Sequence, residues 1–317
     1  MEQAVHPVPT EARLSLAVAA AFAGIYVIWG TTYLAIAFAV RSIPPFISGS
    51  ARFALAGLLM YAWLRWRSPR PFAGINVTMM ALVGVLLSGV GNGFVVWAQQ
   101  GIPSGIAALI VAAVPVLVLI FDWAFFSKRA PTRQALFGTA VAIAGVATIV
   151  MHTRTLSGNA QPMYVLAMLV ATTGWSVGTL LQKRWANTGT VLSFTCGQML
   201  FGAAFQLLMS IVNGEWSRFD PATIPPQAIV AVLYLVVFGS IVGLNCYLWL
   251  LTRVPAPKVA TYALVNPVVA LVLGAAVLGE RVTLLAVVAA MLVLLGVALI
   301  VFQDLPWVRA LTARVRR

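Results

Sequence analysis

Long runs of this chain are apolar without interruption. Ile102–Phe121 and Val259–Gly279 hold no charged side chain, and each is close to the ~20 residues an α-helix needs to cross the hydrocarbon core of a bilayer. Lipid demands internally paired backbone, and runs this long and this uniformly apolar predict helices rather than a β-barrel. Ten spans are predicted, at 14–40, 45–64, 76–98, 102–126, 134–151, 163–183, 191–212, 227–251, 256–280 and 284–302. Turn or charge clusters separate them, among them Arg41–Pro45, Ser127–Arg133, His152–Pro162 and Gly214–Pro226. No connection is long enough for a soluble domain.

The spans echo one another. The stretch Gly91–Arg129 returns 152 positions later, where Gly91 meets Gly243, Trp97 meets Trp249, Pro103 meets Pro255 and Pro115 meets Pro267. Trp29 of span 1 answers Trp175 of span 6, and Gly145-Val146-Ala147 of span 5 answers Gly296-Val297-Ala298 of span 10. Matched tryptophans and prolines in one register mark a duplicated unit. Five spans are followed by five related spans. Because five is odd, the second unit enters the membrane from the opposite side, an inverted repeat of the kind found in secondary transporters. The expected division is 14–151, 163–302 and a basic tail, 303–317.

Composition agrees with a membrane protein: 62% of residues are hydrophobic and 9% charged, against about 25% charged in a soluble domain. Charge then sets an orientation. With the N-terminus inside, the inner loops and tails collect 15 of the 20 Lys and Arg residues, and only Arg41, Arg154, Arg218 and Arg281 lie outside. This positive-inside bias predicts cytoplasmic termini in a multi-pass cell (inner) membrane protein. The net charge of +13 is accordingly read as an inner surface facing anionic lipid, with the tail Pro306–Arg317 along that interface, and not as a nucleic-acid footprint. The first apolar run is too long for a signal peptide and is kept as a helix. Cys196 and Cys246 fall inside spans and are read as small apolar packers, with no disulfide expected.

An IWGTTYLAI-type first helix, Arg52-Phe53 in span 2, the proline-centred spans 4 and 9 and the LGER ending at Leu278–Arg281 resemble the drug/metabolite transporter superfamily, and within it the ten-helix EamA-type exporters. The resemblance runs from about Ile25 to Phe302. It implies a 5+5 inverted repeat around a central cavity, alternating access, and export of small organic metabolites. One departure stands out: the first-repeat counterpart of Gly279-Glu280-Arg281 is Ser127-Lys128-Arg129.

Transporter sites of this architecture lie near the bilayer midplane. Counting from the span ends places Trp29, Thr32, Arg52, Pro115, Trp175, Gln198, Asn266 and Pro267 near mid-depth, with Asn92 and Asn245 slightly off-centre on opposite sides. Tyr26, Trp29 and Tyr33 share one helical face; a substrate-facing role and an aromatic packing stripe both fit. The other tryptophans fall at or close to span ends, where an interfacial belt accounts for most of them. Tyr262 and Asn266 also share a face. The Asn amides either line a cavity or join helices, at about 0.6 kcal/mol per bond. Trp29, Thr32, Tyr33, Asn92, Trp175, Gln198, Asn245, Tyr262 and Asn266 are the candidate substrate-binding residues. Pro115 and Pro267, which each remove a backbone bond in mid-span, are candidate hinges. The pairs Gly84/Ser88, Gly89/Gly93 and Gly239/Gly243 are read as close helix packing.

Buried charge is sparse. A mid-depth Arg52 requires acceptors or a function; a structural or gating role, reaching toward Glu280 or free carbonyls, is favoured over binding a substrate carboxylate. Glu280 is read as an interfacial residue or a gate partner. Asp122 lies near the inner end of span 4, within reach of Lys128 or Arg129. The two histidines lie in a tail and a loop, and no nucleophile, acid pair or metal cluster is evident, so neither an enzyme nor a cofactor or metal site is expected. The expected activity is non-ATP secondary transport of small organic metabolites such as amino acids, or of lipophilic compounds. A passive channel is the alternative. The expected partners are a small-molecule substrate and the bilayer, without nucleic acid; a homodimer is left open.

Overall fold

A computed structural model of the protein describes residues 11–128, 130–151, 162–185, 191–251, 253–254, 259 and 261–302. The tail 303–317, the loop 152–161 and Pro255–Lys258, to which orientation and repeat arguments also refer, lie outside the described residues. The described residues are helical throughout, in ten spans: Glu11–Ala39, Pro45–Arg67, Val77–Ala98, Ser104–Phe126, Arg133–Met151, Pro162–Trp185, Val191–Val212, Pro226–Leu251, Tyr262–Leu278 and Leu284–Val301. Eight are long and apolar enough to cross a bilayer, and the fifth and ninth are shorter apolar helices.

Several starts have local causes. Pro45 opens span 2 at a position where its missing N–H costs no helical bond. Asn76 and Thr283 cap spans 3 and 10 by accepting from Met79 N and Ala286 N, each at 3.1 Å. Two further starts are capped from a distance. The Glu215 carboxylate accepts from Phe46 N and Ile47 N at 3.2 and 2.9 Å, at the head of span 2. The Glu280 carboxylate accepts from Ser104 N and Gly105 N at 2.7 and 3.2 Å, at the head of span 4. Free N–H groups and the positive end of the helix dipole favour an anion there. Both clasps lie at the same end of the bundle, and both acids come from the second repeat.

Packing follows the duplication. Span 5 lies against span 10, span 2 against span 7, and span 4 against span 9. The remaining strong pairs come in swapped copies: 1 with 9 and 6 with 4, 1 with 8 and 6 with 3, 3 with 7 and 8 with 2. Each repeat is thus buried chiefly against the other. At the 5–10 seam the backbones nearly touch; a Cβ on Gly296 would lie 2.4 Å from Ala142 N and 2.5 Å from Gly138 O.

The interruptions also recur. Spans 3 and 8 pass through wider π-helical turns at Val85–Gly91 and Leu235–Val242, which overlap at the 152-residue offset. Span 4 breaks at Ala112–Ala113 and restarts as Val114–Phe121 with Pro115 in its first turn, because proline lacks the N–H and crowds the preceding turn. Span 9 carries Pro267 within a continuous helix. With its amide oriented to satisfy its neighbours, Asn266 donates to the carbonyls of Tyr262 and Tyr26, at 3.3 and 3.2 Å, and so ties span 9 to span 1. Of the two candidate hinges, only Pro115 sits at a break.

Gly296→Val should force spans 5 and 10 apart and cost about 1–3 kcal/mol. The expected readout is a lowered thermal midpoint of the purified protein, with the outward-facing change Met291→Leu leaving it unmoved; an unchanged Gly296→Val midpoint would refute the close seam.

Burial raises the Glu215 carboxyl above its ordinary 4.5, outweighing the Ile47 and Phe46 donors and the charge of Arg218. The folded state then holds that proton more tightly than the unfolded chain does. Stability from Glu215 should be present below about pH 4.5 and fall as pH rises through the raised value. Relative to Glu215→Gln, the wild-type midpoint should decline across that interval; a rising difference would contradict the shift.

Candidate substrate cavity

Helical spacing puts Trp29, Thr32, Tyr33 and Ile36 on one face of span 1, and that face borders a central cavity of about 80 Å³. Arg52, Asn92, Trp175, Tyr262 and Asn266 complete its polar and aromatic wall, with Gly91, Val95, Val111, Gly239 and Leu244 between them. Seven spans from both repeats contribute. The cavity therefore gathers seven of the candidate substrate-binding residues together with Arg52.

Gln198 and Asn245 are placed elsewhere. Gln198 is fully buried, with both ends of its amide lacking partners, and the residue packs on Gly84 between spans 7 and 3. Asn245 donates to the Ile241 carbonyl at 2.6 Å within its own helix. Depth along a span was visible in the sequence; the face each residue presents at that depth was not. Tyr26, on the same stripe as Trp29, meets the Thr261 hydroxyl at 2.5 Å and does not border the cavity.

The glycine pairs divide in the same way. Gly84 and Ser88 do pack closely on span 7. Gly239 and Gly243 instead make room for side chains of the cavity. A Cβ on Gly239 would stand 3.0 Å from Arg52 Nη2 and 3.1 Å from Thr32 Cγ2, and one on Gly243 would stand 2.5 Å from Trp29 Nε1. The Trp29 indole turns its N–H toward the Gly239 carbonyl at 3.4 Å.

Arg52 is buried, and its Nε donates to Ser240 Oγ at 2.8 Å. The sequence suggested a reach toward Glu280. That pairing is not made: Glu280 is committed to the head of span 4, and Arg52 is turned to Ser240 and the cavity. Nor does Asp122 meet Lys128, whose ammonium donates to the Ala124 carbonyl of its own turn. Arg129 lies outside the described residues.

Asp122 instead borders a second, larger cavity of about 210 Å³ at the end of the bundle opposite the two clasps. Pro115, Leu119, Thr179, Lys183, Tyr247 and Leu251 are among its other walls. Tyr262 borders both cavities. It belongs to an aromatic layer in which the Trp29 ring lies 5.0 Å from Tyr262, 5.2 Å from Tyr247 and 6.0 Å from Trp175. A layer of this kind separates two compartments while leaving rings that turn on two torsions. Sequence reasoning did not single out Glu215 or the second cavity. Glu215 was one acid in a loop, and its partners are 168 and 169 residues away.

The profile of the EamA-like transporter family matches twice, over residues 15–151 and 162–302. The protein named uncharacterized inner membrane transporter YedA, of Escherichia coli K12, is 35% identical over 259 residues, covering 81% of each chain. A protein of the same organism named probable amino-acid metabolite efflux pump is 27% identical over 293 residues, covering 90% of this chain and 95% of its own. A crystal structure described only as that of a protein shares the fold at a TM-score of 0.65 and 20% identity, covering 94% of this chain and 99% of its own. With both halves matched by the family profile, the chain belongs to the EamA-like transporter family.

Proposed function

We infer that the protein is a secondary transporter that exports small organic metabolites, such as amino acids, or lipophilic compounds, by alternating access. The observation that carries this reading is that the two repeats are clasped at one end of the bundle while cavities lie at their interface toward the other. At one end, two carboxylates of the second repeat hold the heads of two helices of the first. Toward the other end, an aromatic layer leads from the central cavity to a larger one. A cavity at the interface of two repeats that are clasped at one end suits rocking between the repeats. The names of the relatives, an inner membrane transporter and a probable amino-acid metabolite efflux pump, support the same class.

The charge bias supplies the direction. With the basic loops inside, the clasped end faces out, and the cavity bordered by Asp122 and Lys183 faces the cytoplasm. On this reading the chain lies in the inner membrane with both termini cytoplasmic and is loaded from within. The reading involves no catalysis and no nucleotide.

Two measurements test it. Proteoliposomes preloaded with an unlabelled metabolite panel should accumulate labelled solute by exchange, saturably. Flux that neither saturates nor exchanges would make the protein a channel. For orientation, single cysteines at Thr155 and Ser68 are introduced on a background lacking Cys196 and Cys246. An impermeant thiol reagent added to intact cells should label the first and spare the second, and the opposite pattern would invert the topology.

A further inference from the structure

Among the described residues, Arg52 and Glu215 are the buried charged side chains. Glu215 has two backbone donors on its carboxylate. Arg52 is differently placed. A guanidinium carries five N–H donors and keeps its proton, yet this one has one hydrogen bond, Nε to Ser240, besides the Phe53 ring face 4.7 Å from Cζ. Arg52 borders the central cavity, and its terminal nitrogens are not among the buried atoms lacking a partner.

Nothing within that cavity answers the charge. Glu215 and Glu280 are committed to helix heads, Asp220 accepts from Ala222 N in a surface turn, and Asp122 borders the other cavity. Four of the neutral polar groups have turned their donors to backbone: Asn92 to Leu87, Asn266 to Tyr26 and Tyr262, Thr32 to Trp29, and Trp29 to Gly239. What remains is one fixed positive charge in an aromatic chamber. A buried charge is costly until it is paired, and a planar fork suits a carboxylate.

We propose that the central cavity is an anion subsite in which Arg52 takes the carboxylate of an amphipathic organic monoanion. The proposal rests on the transport reading and narrows its cargo. The 80 Å³ chamber holds the headgroup, and the apolar body lies along Trp29, Trp175 and Tyr262 toward the 210 Å³ cavity. One charge in the site matches one charge on the ligand. A zwitterion brings an ammonium with no acid to receive it, and a cation meets like charge. Ser240 accepts from Nε, which leaves the terminal nitrogens to the ligand.

The test uses the full-length purified protein and four compounds that share a phenylethyl body: 3-phenylpropanoate, 3-phenylpropanamide, phenylalanine and 2-phenylethylamine. Binding is followed by ligand-induced shift of the thermal midpoint. The carboxylate should bind about tenfold or more tightly than the amide, as expected for a charge-assisted pair, and more tightly than phenylalanine or the amine. Arg52→Gln should level the carboxylate and the amide. Arg52→Lys keeps the charge without the fork and should keep the order with a smaller margin. Should Arg52→Gln not fold, the wild-type series and Arg52→Lys decide the matter. The proposal is overturned if the amide, zwitterion or amine matches the carboxylate, if Arg52→Gln keeps the preference, or if no carboxylate from acetate to phenylpropanoate binds. Failure of the transport reading looks different: the carboxylate preference persists in binding while none of the four compounds exchanges across proteoliposomes. Equal exchange of phenylalanine and the amide with the carboxylate would sink the anion subsite and leave transport standing.

Discussion

A helix whose first turn is buried has no water to receive its first N–H groups, and this constraint organises the molecule. Spans 2 and 4 meet it with carboxylates carried by loops of the other repeat. Each such bond does two things at once. It satisfies backbone donors, and it pins one repeat to the other at a single end of the bundle. Helix capping and the joining of the two repeats at that end are thus the same contacts.

Among the described residues only one end is held in this way, and divergence between the two repeats accounts for it. The packing pairs map onto one another when the repeats are exchanged, so the scaffold is close to symmetric. The chemistry laid on it is not. The residue of the first repeat that corresponds to Glu280 is Lys128, whose ammonium turns back to its own helix. Arg52 likewise has Leu200 as its counterpart, and Leu200 packs on Gly57. Two related halves therefore supply a shared frame, and single divergent residues make its two ends chemically different.

The spans were legible because lipid imposes one rule on every residue in them. Predicted and observed limits agree to within about three residues for nine of the ten spans, and the tenth, span 9, begins at Tyr262, beyond residues the structure leaves undescribed. Depth was legible as well, which is why Trp29, Thr32, Tyr33 and Trp175 were found. Facing was harder. Hydrophobic periodicity is faint in helices apolar all round, and nothing in the sequence told Gln198, between spans 7 and 3, from Asn266, beside the cavity. Gly239 and Gly243 read as a packing motif because spacing cannot say whether the space above a glycine is filled by a helix or by an indole. Glu215 was missed for a third reason: its partners are backbone atoms, and any residue could have supplied them.

The π-helical segments of spans 3 and 8 have a consequence for motion. A π turn accommodates an additional residue relative to an α turn, so each of these spans carries a small excess of chain beside the cavity. Returning either segment to α spacing would advance everything beyond it by about 1.5 Å and turn it by about 100°. Asn92 and Leu244 stand just past those segments, on opposite repeats. A slip of one residue would exchange the side chains they present to the cavity and shift the rest of the span by the same step. The duplicated fold thus carries, in matching places, a reserve of register that can reset its lining without unfolding a turn.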